Sequence, residues 1–423
     1  KLQEAEISTR KAIEFKQDLD KMYNLLTEIL LQLGKFEEAG VYGQKAIKFN
    51  PSFTFLKYYQ ENAKIINKIA FFIWNPIIFD HYQPILEMNN EIFEILVPDE
   101  IEEELIPKID RNLTNKDIRI RATSELIEHN LIYKKIISDY PTYNKTLYPK
   151  KNNRKEKIIL PAVKLLGQKN IRFMYSAGYS KYNFASWNIY YNGILCYGPY
   201  HEKELKIRYR KPTAQMGYPR FDKYFNPGFD RDNLLEKFKC DPKKKTIVWM
   251  ATCKNLSSLE RYYKAISSLS SDYNIVVRPH PNSKSEEPEN YRKLFTANFN
   301  HIDDSDEDNV QLFALADLML LDYGGTMFGC LYTNKSFAFL DMGSDAKNNK
   351  LTGESTSENH LKSFFPDRIA TSKNIKNICN YCLDNPPPNS VIKSLKEEFF
   401  NTNYQGNSAK RAYELIISDE WLE

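Results

Sequence analysis

The stretch LFALADLMLLDYGGTMF, residues 312–328, decides the fold. Its opening, within NVQLFALA (309–316), reads as a helix, and DLMLLD (317–322) is an unbroken apolar run of strand length. A Gly-Gly pair then turns the chain into what reads as a second helix. A strand without polar alternation is covered on both faces, the pattern of a parallel sheet between helical layers. Gly324 and Gly325 allow backbone conformations closed to other residues and bring N–H groups close to a ligand. Thr326 is placed to cap the next helix, whose positive end suits phosphate. An ordinary tight turn uses the same residues, so the weight of this notch depends on what lies beside it.

The same alternation extends in both directions. Upstream, TIVWMAT (246–252) is a strand, LSSLERYYKAISSL (256–269) a helix, and YNIVVRPHP (273–281) a strand ending in a charged turn; downstream, SFAFLDM (336–342) is another strand. The first half repeats the scheme. KIAFFIW (68–74), EIFEILV (91–97), IRFMYS (171–176) and GILCYG (193–198) are strands, NPIIFDHYQPILEMN (75–89) is a loop and helix, and 114–138 and 156–167 read as helices. Two alternating halves predict two Rossmann-like domains facing a cleft, with ligands beyond the carboxyl ends of the strands. Thr252 and Lys254, Arg278 and His280, and Asp322, Tyr323, Gly324, Gly325 and Thr326 all fall at such ends. Arg binds phosphate through paired hydrogen bonds, and a His on the same rim donates one or carries a proton near neutrality.

Composition narrows the classes. Lys and Arg outnumber Asp and Glu by 59 to 55, a net +4 too small to mark a nucleic-acid binder. The six cysteines show no disulfide spacing, which favours a reducing cytoplasm, and the lone pair Cys379 and Cys382 lacks a second set of zinc ligands. No apolar run reaches the ~20 residues of a membrane span. IDDSDEDN (302–309) reads as a helix cap with an exposed acidic face rather than a metal loop, so no metal is expected.

At the front, Ala5, Ala12, Ile13 and Phe15 lie 34 positions before Ala39, Ala46, Ile47 and Phe49, a period that resembles tetratricopeptide repeats with the first one truncated. Such helices serve as a partner-binding groove or as a helical cap. Because the chain starts at Lys1 rather than Met, it is expected to be a piece of something longer. The expected division is 1–53 for the repeats, 54–212 for a first Rossmann-like domain and 213–423 for a second with a closing helix.

GYPRFDKYF (217–225), KKKTIVWMATCKN (243–255), VVRPHPN (276–282), LFALADLMLLDYGGTMF (312–328) and YQGNSAKRAYELI (404–416) carry a resemblance. In order and spacing they resemble the CDP-glycerol glycerophosphotransferase family of teichoic-acid and capsule enzymes, over roughly residues 170–416. The resemblance implies a GT-B fold, a CDP-activated polyol donor held by the second domain, no further cofactor, and a glycan or lipid-linked acceptor. It also implies cytoplasmic work with at most peripheral contact at the inner face of the membrane. Arg278 and His280 stand where the family has its Arg-Pro-His-Pro phosphate contacts, and Asp322 to Thr326 where it has an Asp-Tyr-Ser-Ser turn. Arg220, Ser408 and Arg411 match further family positions, Arg220 equally suiting a hinge or a salt bridge.

One departure concerns the chemistry. Where the family places a His-Gly pair, whose His is its presumed base, this chain has YSAGYSKYNFASWN (175–188) without histidine. His81 and Asp80, after the first strand, are the expected replacements; His201 is a further candidate, and each also suits a purely structural role. Polyol-phosphate transfer is therefore the leading expectation. A GT-B sugar transferase using a nucleotide sugar of the CMP-Kdo type, and an inactive scaffold with interaction helices, stand beside it.

Overall fold

The computed structural model describes residues 2–423 apart from 16–18, 34, 36–37, 39–41, 43–62, 100–101, 114–116, 142–161, 179 and 344–355. Two parallel sheets organise it. The first contains β1 (Lys64–Phe72), β2 (Phe93–Val97), β3 (Arg119–Ala122), β4 (Leu131–Ser138), β5 (Gly167–Phe173), β6 (Gly193–Cys196) and β7 (Thr213–Gln215), in the order β3-β2-β1-β4-β5-β6-β7. The second contains β8 (Thr246–Met250), β9 (Asn274–Arg278), β10 (His301–Ile302), β11 (Leu318–Leu321), β12 (Phe337–Leu340) and β13 (Ile369–Ala370), in the order β10-β9-β8-β11-β12-β13. Every pairing is parallel.

In each sheet the chain starts in the middle, moves to one edge, then returns to build the other. The reversal point lies between β1 and β4 in the first sheet and between β8 and β11 in the second. Both crevices therefore open at strand carboxyl ends, where ligands bind in such folds. β8 and β11 are buried throughout, as their unbroken apolar sequences require. Alternate residues serve different cores: Ile247 and Trp249 join a cluster on one face of the second sheet, while Val248 and Met250 join one that continues into the first sheet through Phe71 and Ile95. The two halves thus share a continuous apolar core.

The expected helix at 114–138 is corrected. It contains β3, a short helix Thr123–Glu128, and β4. Its mixed charge reads as helical, but Arg121 pairs with Glu94 of β2 at 2.9 Å and Lys135 with Asp419 at 2.8 Å. These partners lie far away in sequence and make charged strands tolerable. Of the expected helix at 156–167, Ala162–Leu166 is helical, Gly167 begins β5, and 156–161 lie outside the described residues. Because β7 completes the first sheet, that sheet runs slightly past the boundary expected at 212.

At the front, the helices Leu2–Glu14 and Leu19–Gln32 pack with Leu26 and Leu30 against Ile13. Ala39, Ala46, Ile47 and Phe49, on which the repeat pattern depends, lie outside the described residues. All six cysteines are free thiols. Among the described residues no helix is long and apolar enough to cross a membrane.

Candidate active site

The second sheet's crevice is built around Asp322. β8 and β11 run side by side with Met250 opposite Leu321, so the loops leaving them meet immediately. The fully buried Asp322 carboxylate accepts from Thr252 N at 3.0 Å, Ser258 N at 3.0 Å, Ser258 Oγ at 2.8 Å and Tyr323 N at 2.7 Å. Burial pushes its pKa up to about 6. Asp322, expected among the donor contacts, faces these protein N–H and O–H groups and fixes the two loops together. Thr252 spends its N–H in the same way. Lys254 is exposed and pairs with Glu286 at 3.0 Å.

The notch itself is a helix start. Gly324 is the N-cap of the Gly325–Thr333 helix, with φ +95°, and no side chain caps that helix. Thr326, expected to be the cap, instead lies inside the first turn. Gly325 is small for another reason. A Cβ there would lie 2.7 Å from Ser176 Oγ, which belongs to the loop after β5 of the first sheet. At the notch the two domains approach each other closely, and Lys362 stands beside it. Its Nζ donates to the Asp322 carbonyl at 2.8 Å and sits 3.7 Å from the centre of the Tyr323 ring. Burial lowers its pKa to about 8. Nothing local in KSFF (362–365) marks this lysine; only its return to the notch, forty positions after Asp322, gives it meaning.

The rim formed by β9 differs from expectation at Arg278. Its Nη1 pairs with Asp303 Oδ2 at 2.7 Å and donates to Ser305 Oγ at 3.0 Å, while Nη2 donates to the Glu307 carbonyl at 2.9 Å. A guanidinium so engaged anchors the 303–307 loop instead of gripping phosphate. His280 keeps a ligand-facing option. Its Nδ1 accepts from Asn282 N at 3.1 Å, which places the ring proton on Nε2. Burial, then the charges of Arg278 and Lys254, lower its pKa, so it is a neutral donor near neutrality.

The acidic run is more than an exposed face. Asp303 is buried against Arg278, and Asp308, its side chain 7% exposed, pairs with Arg220 and Lys223, both at 2.6 Å. Burial pushes Asp308 up, but Arg220 and Lys223 hold it below the ordinary carboxylate range. Arg220 also donates to Asn309 Oδ1 at 2.9 Å and to His81 Nε2 at 3.2 Å. It is therefore engaged in a salt bridge, and it reaches the first domain through His81. Burial and then the Arg220 charge push the His81 pKa well below 6.5. A neutral imidazole suits a base, but the lone pair of Nε2 is already committed. Neighbouring Asp80 pairs with Lys108 at 2.9 Å, and its pKa is raised by burial and by the Asp308 charge. His81 also packs its ring 4.8 Å from that of Tyr175, the residue before Ser176.

Ser408, Arg411 and His201 are engaged with the protein itself. Ser408 opens the closing helix Ser408–Ile417, where Asp222 Oδ1 accepts from Ser408 N at 3.0 Å and Asp222 Oδ2 from Ala409 N at 2.6 Å. A protein carboxylate already holds that helix end. Arg411 lies 5.2 Å from the centre of the Tyr404 ring and 3.7 Å from Glu414. His201 is fully buried with Nε2 2.9 Å from the Ala177 carbonyl, and burial lowers its pKa to about 4. Among the described residues no group of three His, Cys, Asp or Glu is placed to hold a metal ion.

Two doubly wound parallel sheets, meeting where an uncapped helix start faces the opposite domain, define the class of α/β proteins that take ligands between domains at strand carboxyl ends. The sequence pattern of the CDP-Glycerol:Poly(glycerophosphate) glycerophosphotransferase family matches residues 200–418, more than half of the chain. The chain belongs to this family and is a glycerophosphotransferase-like transferase. Among solved structures it is similar to the wall teichoic acid polymerase TagF. For a TagF form soaked with CDPG the TM-score is 0.56 at 17% identity, covering 85% of this chain and 91% of that one. For another TagF structure it is 0.57 at 16%, covering 91% and 98%. A UDP-N-acetylglucosamine 2-epimerase described as putative, from Listeria monocytogenes, gives 0.50 at 12%, covering 82% and 94%. At such identities the likeness is one of fold. Comparison with curated proteins returns no match.

Proposed function

We propose that the chain is a GT-B transferase that moves glycerol phosphate or ribitol phosphate from a CDP-activated donor to a cell-surface glycan acceptor. The observation that carries this reading is the family match over 200–418, which encloses the whole second sheet and its notch. The donor's diphosphate lies at the uncapped N-terminus of the Gly325–Thr333 helix, with Lys362 and the Nε2–H of His280 as side-chain contacts. The acceptor hydroxyl attacks the polyol-bearing phosphorus, the P–O–P bridge breaks, and its electron pair leaves on CMP. Negative charge grows on the leaving phosphate, and fixed N–H dipoles and a cation stabilise it without reorganising.

The acceptor's proton goes to Asp80. Its raised pKa is in the direction a base requires, whereas His81 is occupied in holding Arg220. The half built on the first sheet forms the acceptor side and the half built on the second sheet the donor side. The front helices dock a protein partner, and the reaction takes place in the cytoplasm at the inner face of the membrane.

Calorimetric titration of the chain with CDP-glycerol, CDP-ribitol, CMP, CMP-Kdo and UDP tests the reading. Selective binding of CDP-polyols is expected, with Asp80→Asn binding them normally and failing to turn over. Preference for CMP-Kdo or UDP points to sugar transfer, and no binding at millimolar concentration points to a scaffold.

A further inference from the structure

The loop after β5 is held with unusual completeness for a segment that ends at a domain boundary. Asn183 Nδ2 donates to the carbonyls of Ser176 and Gly178, both at 2.6 Å, and His201 Nε2 donates to the carbonyl of Ala177 between them. Asn183 is itself fixed by Arg172, whose Nη1 donates to its carbonyl at 2.6 Å and whose Nη2 donates to its Oδ1 at 3.1 Å. Arg172 is fully buried, with its guanidinium carbon 4.5 Å from the centre of the Trp187 ring. Three consecutive carbonyls are thus tied down, and the Ser176 side chain has its direction set.

Among the described residues, that side chain carries the one buried hydroxyl without a hydrogen-bond partner. Ser176 is only 6% exposed, and its Oγ has no hydrogen-bond partner. A buried hydroxyl without a partner costs roughly 1–3 kcal/mol, so one that persists in a rigid loop is matched to something that arrives. It points at the N-terminus of the Gly325–Thr333 helix, 2.7 Å from where a Cβ on Gly325 would lie. That helix start carries no side-chain cap. A hydroxyl with an unmet hydrogen bond and a helix end with unmet N–H groups face each other, and an oxygen-rich anion satisfies both.

We propose that Ser176 donates a hydrogen bond from the first domain to the phosphate held at this helix N-terminus, so that the donor site is complete only when both domains face it. The inference rests on the functional reading above. An aliphatic hydroxyl titrates far too high to act as the base, so its contribution is to position the phosphate, and the proton must leave by another group.

The test is calorimetric titration of wild type and Ser176→Ala with CDP-glycerol, together with the melting temperature of each without ligand. Expected is a Kd for CDP-glycerol raised about 10- to 100-fold, the value of one hydrogen bond to a charged group, with a ligand-free melting temperature equal to wild type or higher, because the variant removes a buried hydroxyl that has no partner. Equal affinities in the two proteins would overturn the role of Ser176 and leave the functional reading standing. A ligand-free melting temperature lowered by several degrees would overturn it too, because the hydroxyl would then be structural. If wild type itself does not bind CDP-glycerol, the functional reading falls, and this inference with it.

Discussion

At the scale of single residues, the site is governed by which polar groups are already satisfied. Arg278 is an example: by residue type and strand position it suits phosphate, yet Asp303, Ser305 and Glu307 engage its guanidinium. His201 is the converse, a histidine that looked chemical and is a brace for the Ser176 loop. Its folded pKa of about 4 lies below the 6.5 of an unperturbed histidine. The unfolded chain therefore takes up this proton first. Its stability contribution is intact above pH 6.5 and is lost as pH falls toward 4. His201→Gln keeps a donor and removes the titration. Chemical denaturation at several pH values should show wild type losing up to about 3 kcal/mol relative to this variant between pH 6.5 and 4. A pH-independent difference would assign the acid sensitivity elsewhere.

At the scale of elements, the notch is a contact between two domains as well as a turn. Gly324 is required by its φ of +95°, whereas Gly325 is required by Ser176. Gly325→Ala should destabilise the chain by about 1–3 kcal/mol through overpacking. Adding Ser176→Ala should return most of that loss, because the nearest remaining serine atom, Cβ, lies 3.6 Å away, an ordinary contact. A double-mutant cycle by urea denaturation measures the coupling. Strictly additive effects would show that the two loops do not meet in solution.

At the scale of the molecule, a chain of ion pairs runs through the cleft. Arg278 anchors the 303–307 loop, the next residues present Asp308 and Asn309 to Arg220, and Arg220 reaches His81 of the first domain. Removing one partner of a buried pair leaves the other charge uncompensated. Asp308→Asn should therefore cost about 3–5 kcal/mol, seen as a lowered urea midpoint. An effect below 1 kcal/mol would mean that Arg220 finds another partner. The segment after the closing helix crosses back in the same spirit: Lys135 of β4 and Lys169 of β5 pair with Asp419 at 2.8 and 2.6 Å.

β8, β9, β11 and β12 were legible because each is a short apolar run bounded by Gly, Pro or charge, a local signal of full burial, whereas the two-residue edge strands β10 and β13 carry no such run. The position of the notch followed from the neighbouring strand ends, since a glycine pair after such a strand marks a crevice only when other strands of the same sheet end beside it. The charged strands β3 and β4 were misread as helix, because Glu94 and Asp419, which neutralise them, come from distant elements. By itself the sequence determined two alternating α/β halves, the family, and the crevice in the second. Only the tertiary structure decided which charges remain for a ligand, because a polar group's availability depends on partners that folding brings together. It engaged Arg278, Asp322 and His81 in holding the protein, and it brought Lys362 and Ser176 to the notch.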